Sequence, residues 1–293
     1  MPSERPGTPQ LQYVFVIWGT KYPVTNINAM IEAIGRASPL PARFVCLSDR
    51  PRPDLHPLAE LQELGPAFDR PEYKSRGTQA KLAVFEQGRL LPDVPAIYFD
   101  LDTMILGDPA RLARLLDRRR GLHLIPATDG RFWGIGKWIN RIVPNAIRFR
   151  GNGSIFVFRP EDWYHLPGRF LDLAERTPHP RPRHLWADDR FISWAAGPAI
   201  YPIPQNLAVK FVNEFTSRPA ALAGIKGRLP FVRKRRAGLV AITFSGDAFN
   251  PEDLLSLPPG GRLRDRKGRV LVWNDHVMSG LIGPIRRYWT HLT

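Results

Sequence analysis

The stretch Ile97-Tyr98-Phe99-Asp100-Leu101-Asp102-Thr103 decides how the rest of the chain reads. The apolar run Ala96–Phe99 stops abruptly at two carboxylates one residue apart. A short apolar run without polar alternation suits a strand buried on both faces. In open α/β sheets, ligands bind just beyond the carboxyl ends of the strands. An Asp-x-Asp at such an end offers two hard oxygen ligands. Mg²⁺ or Mn²⁺ takes oxygens of this kind and completes its shell with water and substrate phosphates. A cation held there neutralises charge developing on a leaving phosphate. Two aspartates at a strand end also solvate turns and cap helices, so the surrounding sequence has to decide between these readings.

Upstream, Gln12–Trp18 reads as a first strand and Gly19–Pro23 as a turn. Val24–Ala37 has Ile27, Met30, Ile31 and Ile34 at helical spacing, and Pro39 and Pro41 close the helix. Arg43–Leu47 reads as a second strand, Asp49–Pro57 as a Pro-rich loop, and Gln79–Gln87 as a helix burying Leu82, Ala83 and Phe85. Downstream, Pro109–Arg118 reads as a helix, and Leu122–Pro126 and Ser154–Phe158 as strands. Glu161–Glu175 and Trp186–Ala195 read as helices, Leu239–Phe244 as a late strand, and Gly260–Gly268 as a basic, flexible segment. Strands alternating with helical segments predict an α/β sheet with crossover helices. No repeat or convincing linker appears, so residues 11–293 are expected to form a single domain behind a flexible tail, residues 1–10.

Composition narrows the classes. A chain of 293 residues can bury a sizeable core. Its 43% hydrophobic content is that of a globular protein, not a disordered one. The longest apolar stretches, such as Tyr13–Trp18, fall far short of a membrane span. Met1–Gln10 is polar and Pro-rich, without the cationic start and apolar run of a signal peptide, and reads as a frayed tail; the single cysteine fits a cytoplasmic setting. Cys46, the one cysteine, excludes an internal disulfide and a Cys-based zinc site; within Phe44–Leu47 it reads as core filling. The net charge of +15 is concentrated in clusters such as Arg118–Arg120, Arg233–Arg236, Arg262–Arg269 and Arg286-Arg287. Such clusters form solvated faces or attract phosphates on nucleic acid, anionic lipid or a phosphorylated substrate. No nucleic-acid motif accompanies them, so no specific nucleic-acid partner is expected. There is no nucleophile elbow and no paired-His metal motif, and Gly134-x-Gly136 lacks the third glycine of a dinucleotide fingerprint.

Context then sharpens the central motif. Lys81-Leu82-Ala83-Val84-Phe85, Tyr98-Phe99-Asp100-Leu101-Asp102-Thr103 and Gly107-Asp108-Pro109 resemble the centre of the glycosyltransferase family 8-like enzymes. Val16–Tyr22 is similar to that family's first strand and nucleotide-contacting loop. Gly151-Asn152-Gly153-Ser154 resembles a later strand start, Ala187–Ile192 an acidic segment near the donor sugar, and Phe244–Pro251 a late loop. Pro284–Trp289 resembles a basic-aromatic ending of bacterial relatives. The resemblance spans most of the chain and is strongest around Asp100 and Asp102. It implies a GT-A fold, a mixed, mainly parallel sheet flanked by helices, and transfer of a sugar with retention. It also implies a nucleoside-diphosphate-sugar donor, with UDP favoured, and Mn²⁺ or Mg²⁺. By the same resemblance, Asp100 and Asp102 hold the metal. Gly19, Thr20 and Tyr22 line the nucleotide, Lys81 faces the donor, and Asn152, Asp188 and Asp189 serve the donor sugar and the reaction. The acceptor expected is a glycan or lipid-linked glycan, and the basic clusters of the second half could dock it by peripheral contact with an anionic membrane at its inner face.

Two positions depart from that pattern. Ser245, just after Thr243, stands where the family has a metal-binding His, and Asn250 where it has a Lys facing the diphosphate. His276 is the candidate replacement ligand, and Arg286 or one of Arg233–Arg236 the candidate replacement cation. The alternative is a protein that binds nucleotide-sugar or polyanion and has lost catalysis. Asp188 and Asp189 also suit the positive end of a helix dipole. Trp133 and Trp138 read equally as an acceptor lip or as loop anchors.

Overall fold

Leu11–Ile17 forms the first strand, and all seven of its residues are buried. The computed structural model describes residues 8–75, 78–127, 151–177, 181–244 and 249–290. Its strands are β1 (Leu11–Ile17), β2 (Ala42–Ser48), β3 (Ala59–Glu63), β4 (Ala96–Phe99), β5 (Thr103–Ile105), β6 (Leu122–Pro126), β7 (Gly151–Phe158), β8 (Ile200–Pro202), β9 (Ala208–Lys210), β10 (Ala241–Thr243), β11 (Arg262–Arg264) and β12 (Val270–Val272). The chain divides into two compact units, one of Met1–Val24, Pro39–Leu101 and Ala110–Ile203, the other of Thr25–Ser38, Asp102–Pro109 and Pro204–Thr293.

The first unit is built on a seven-stranded sheet in the order β3-β2-β1-β4-β7-β6-β8. Strands β3, β2, β1 and β4 run parallel. β7 lies antiparallel between β4 and β6, and β8 pairs parallel with β6. This is the α/β sheet expected from the alternation, mixed and mainly parallel as the resemblance implies. From β1 the chain moves outward to β2 and β3, then returns to place β4 on the other side of β1. The carboxyl ends of β1 and β4 therefore flank a topological switch point, where open sheets hold their ligands.

A buried aromatic layer anchors β4. Tyr98 stacks on Phe156 with ring centroids 4.4 Å apart, and Phe85 stacks on Phe156 at 5.4 Å. Burying each such side chain stabilises the fold by about 1.5–3 kcal/mol. Phe85 belongs to a 3₁₀ turn, Gln79–Phe85, whose seven residues are all buried. The expected α-helix there is thus replaced by a shorter and tighter element, which Gly88 (φ +88°) turns away from. The expected helix Pro109–Arg118 is divided into Ala110–Ala113 and Leu115–Arg118. The helices His165–Arg176 and Asp188–Ala195 complete this unit's packing.

The second unit holds a three-stranded sheet, β5-β10-β9, and the hairpin β11-β12. The segment expected to be flexible thus contributes a strand, paired from Arg262 to Val272. Fully buried Trp273 and Trp289 centre this unit's core, with Phe244 edge-on to Trp289 at 5.8 Å. Glu214 is buried against Arg236 at 2.6 Å and also pairs with Arg235 and Lys226. Among the described residues, no helix is long and apolar enough to cross a membrane.

Candidate functional site

Beyond β1 the chain turns at Gly19, whose φ of +59° suits a residue without Cβ. The Gly19 N–H donates to Asp49 Oδ2 at 3.0 Å, and Arg52 donates to both the Gly19 carbonyl and Asp49 Oδ1. Burial opposes the charge on Asp49. The Gly19 N–H and the Arg50 and Arg52 guanidinium groups outweigh it and hold the carboxyl below its ordinary range. The loop is therefore fixed by the residues after β2. Thr20 is exposed at its tip and Tyr22 half-buried, with the Lys21 ammonium 4.9 Å from the Tyr22 ring centre.

A second cluster forms beyond β4. Lys81 Nζ lies 2.5 Å from Asp100 Oδ1 and 3.9 Å from Asp188 Oδ2. Tyr98 donates its hydroxyl to Asp100 Oδ1 at 2.6 Å, and the Asp100 N–H donates to the Ser154 carbonyl at 2.8 Å. The start of β7 is thereby tied to the end of β4. Thr78 donates to Asp188 Oδ1 at 2.9 Å from a left-handed backbone, φ +53°. That conformation is a genuine outlier for a β-branched residue, and such strain gathers at functional sites.

Asp188 is 4% exposed at the first turn of its helix, and its Oδ2 has no hydrogen bond among the described residues. Burial pushes its carboxyl up to about 6 against the opposing pull of Lys81, with Asp189 and Asp100 adding to the rise. A Cβ at Gly153 would collide with the same Oδ2, so glycine makes room for the carboxylate. Asp189 is half-buried; its carbonyl accepts from Ser193, whose Oγ accepts the Gly151 N–H at 3.1 Å. Asn152 turns its Oδ1 onto Ser154 Oγ at 2.5 Å, which fixes the start of β7.

Within the second unit, Asp102 is 8% exposed; its Oδ1 accepts from Thr243 at 3.4 Å and its carbonyl accepts the Phe244 N–H at 2.9 Å. Asn250 accepts the Asp253 N–H at 2.7 Å as the N-cap of helix Pro251–Leu255, a task a lysine cannot perform. His276 is exposed, and its backbone N–H is capped by Asn274. Among the candidate replacement cations, Arg286 donates to the Leu257 carbonyl, and Arg235 and Arg236 are taken by Glu214. Ser245, Trp133 and Trp138 lie outside the described residues.

No family model matches the chain, and no curated protein matches it in sequence. Solved structures do match it. The galactosyltransferase LgtC, in complex with donor and acceptor sugar analogs, superposes with a TM-score of 0.53 at 11% identity, over 96% of this chain and 100% of its own. The bifunctional glycosyltransferase WbbM gives 0.55 at 12% identity, over 98% of this chain and 53% of its own. Glycosyltransferase GlyE of Streptococcus pneumoniae TIGR4 gives 0.52 at 13%, over 97% of this chain and 64% of its own. The fold is GT-A.

On this GT-A frame, the residues that sequence reading missed are Asp49, Arg52, Thr78 and Tyr98. Each holds a predicted residue in place from a distant or unremarkable position. Tyr98 was given no role of its own within the strand and its motif, and Asp49 was visible only as the start of a loop. Among the described residues, no three His, Cys, Asp or Glu side chains form a metal-binding group. Carboxylates are the ligand type that Mg²⁺ or Mn²⁺ takes, commonly one or two of them plus substrate phosphates.

Proposed function

We propose that the chain is a glycosyltransferase that moves a sugar from a nucleoside-diphosphate-sugar, UDP-linked by preference, to a glycan or lipid-linked acceptor with retention. The observation that carries the reading is the Lys81–Asp100–Asp188 cluster at the carboxyl end of β4 in a sheet of GT-A order. A buried carboxylate oxygen lacking a hydrogen bond is costly, and a sugar hydroxyl is a donor that would satisfy it. Asp188 in this reading orients the donor sugar. Lys81, held between two carboxylates, faces the donor in this reading. Gly19, held by Asp49 and Arg52, presents its loop to the nucleotide, and Asn152 keeps the β7 start close to Asp100. Asp189 shapes the same helix turn. Asp100 and Asp102 would hold the divalent cation, which when bound supplies Lewis-acid stabilisation of the departing diphosphate. Contact with an anionic membrane would bring a lipid-linked acceptor to the site.

The test is release of nucleotide from a panel of UDP- and GDP-sugars with Mn²⁺, with and without glycan acceptors. Turnover that disappears in Asp188→Asn and Asp102→Ala supports the enzyme. A second reading is favoured by Asn250, which serves a helix cap instead of supplying a cation. It makes the chain a nucleotide-sugar binding protein, and tight donor binding with no turnover on any acceptor would establish it.

A further inference from the structure

The helix Ala221–Arg228 turns its small residues inward and its large apolar residues outward. Ala223 and Gly227 are its buried positions. Leu222, Ile225 and the following Leu229 are 49%, 57% and 36% exposed, and Phe231 at the start of helix Pro230–Ala237 is 68% exposed. Close packing explains the inward side: a Cβ at Gly227 would collide with the backbone carbonyl of His276. It does not explain the outward side. Residues 222, 225 and 229 share one helical stripe. Exposed apolar side chains scattered singly need no account, but four within ten residues mark an interaction surface.

Along the chain, the charges flanking this stripe have one sign. From Phe215 to Gly246 there is no acidic residue, while Arg218, Lys226, Arg228 and the run Arg233–Arg236 are cationic. Lys226, Arg235 and Arg236 share buried Glu214, and Arg228, Arg233 and Lys234 are exposed. At the foot of the helix, Arg218, Arg262 and Arg264 line an open cavity of about 560 Å³ together with Pro219 and Ala220. Asp265, the one acid of the adjoining hairpin, is taken by Arg269 at 2.6 Å. The Leu222 N–H donates to the Pro219 carbonyl at 3.1 Å, so the apolar stripe begins at the cavity rim.

We propose that this face of the second unit docks on an anionic lipid bilayer. Leu222, Ile225 and Phe231 enter the headgroup boundary, and Arg218, Arg262 and Arg264 take lipid phosphates. The pairing of layers selects the partner. A nucleic-acid duplex offers phosphates but leaves aliphatic side chains in water. A bilayer interface offers anions and, about 5–10 Å deeper, an apolar layer for the same helix face.

The experiment is co-sedimentation of the full chain with phosphatidylcholine vesicles, with and without phosphatidylglycerol. Binding is expected only to the anionic vesicles. The triple variant Leu222→Ser, Ile225→Ser, Phe231→Ser should weaken it by more than about tenfold, with circular dichroism and melting unchanged. Arg218→Gln, Arg262→Gln and Arg264→Gln together should weaken it about a hundredfold, about fivefold per cation. Several outcomes overturn the proposal: no binding at low salt, wild-type binding by the apolar variant, or an oligomer that the apolar substitutions dissolve. Duplex DNA binding that equals vesicle binding and ignores the apolar substitutions also overturns it. The assay reads no turnover, so its outcome is independent of the proposed reaction.

Discussion

Replacing Asp188 by Asn should make the protein more stable at neutral pH while removing its function. Asp188 is buried, and its carboxyl is raised from 3.8 to about 6 by that burial and by Asp189 and Asp100, against Lys81. The sign follows from proton counting. Between the unfolded value and the folded one, the native state binds more protons than the unfolded chain, so stability falls as pH rises through this window. The full difference corresponds to about 3 kcal/mol, present as a penalty above pH 7 and absent at strong acid. Asn carries no charge, keeps an oxygen for the Thr78 hydroxyl, and leaves Lys81 its partner Asp100. The stability gap in favour of Asp188→Asn should therefore widen by about 2 kcal/mol between about pH 4.5 and pH 8, then stay level. Urea denaturation of both proteins across that range, with equal m-values, measures it. A gap that does not change with pH, or a variant less stable than wild type at pH 8, would refute the reasoning. Donor turnover by the same variant separates the two properties, since a residue kept charged at a cost in stability is kept for what the charge does.

Gly153→Ala should destabilise the first unit by about 1–3 kcal/mol in denaturant titration, because its Cβ meets the buried Asp188 carboxylate, which has no room to withdraw. Glu214→Gln should lower stability by about 3–5 kcal/mol, read as a fall in melting temperature, because Arg236 is left charged and buried without its counter-ion. Asn250→Ala should cost about 1 kcal/mol through loss of the helix cap, and Asn250→Lys should lose the same amount without tightening donor binding in calorimetry.

How much of the fold was legible depends on where a residue's neighbours lie along the chain. β1, β2, β4 and β6 are short apolar runs whose burial is written in their composition. Edge strand β3, Ala-Glu-Leu-Gln-Glu, has no such pattern because most of it faces water, and no expected element covers it. The helices Ala221–Arg228 and Pro230–Ala237 were illegible for the opposite reason: their inward positions are Ala223, Gly227, Val232 and Arg236, which carry no apolar period. Gly227 and Arg236 are chosen by the partners they meet, His276 and Glu214, and no local rule announces such partners.

The same distinction runs through the site. Asp100 could be read because its strand, its spacing from Asp102 and its position before a turn are local. Asp188 could be read only as the start of a helix or through resemblance, since what makes it unusual arrives from elsewhere. Thr78 reaches it across 110 positions, and Lys81 and Gly153 come from two further elements. A carboxylate at a helix start is ordinary when exposed and favoured by the dipole. Burial beside a lysine that already serves Asp100 changes its chemistry, leaving it half-ionised near pH 6. The missing family cation is also a question of partners. Asn250 is committed to Asp253, Arg235 and Arg236 to Glu214, and Arg286 to Leu257. Lys81, between Asp100 and Asp188, is the cation that the structure places beyond the carboxyl end of β4.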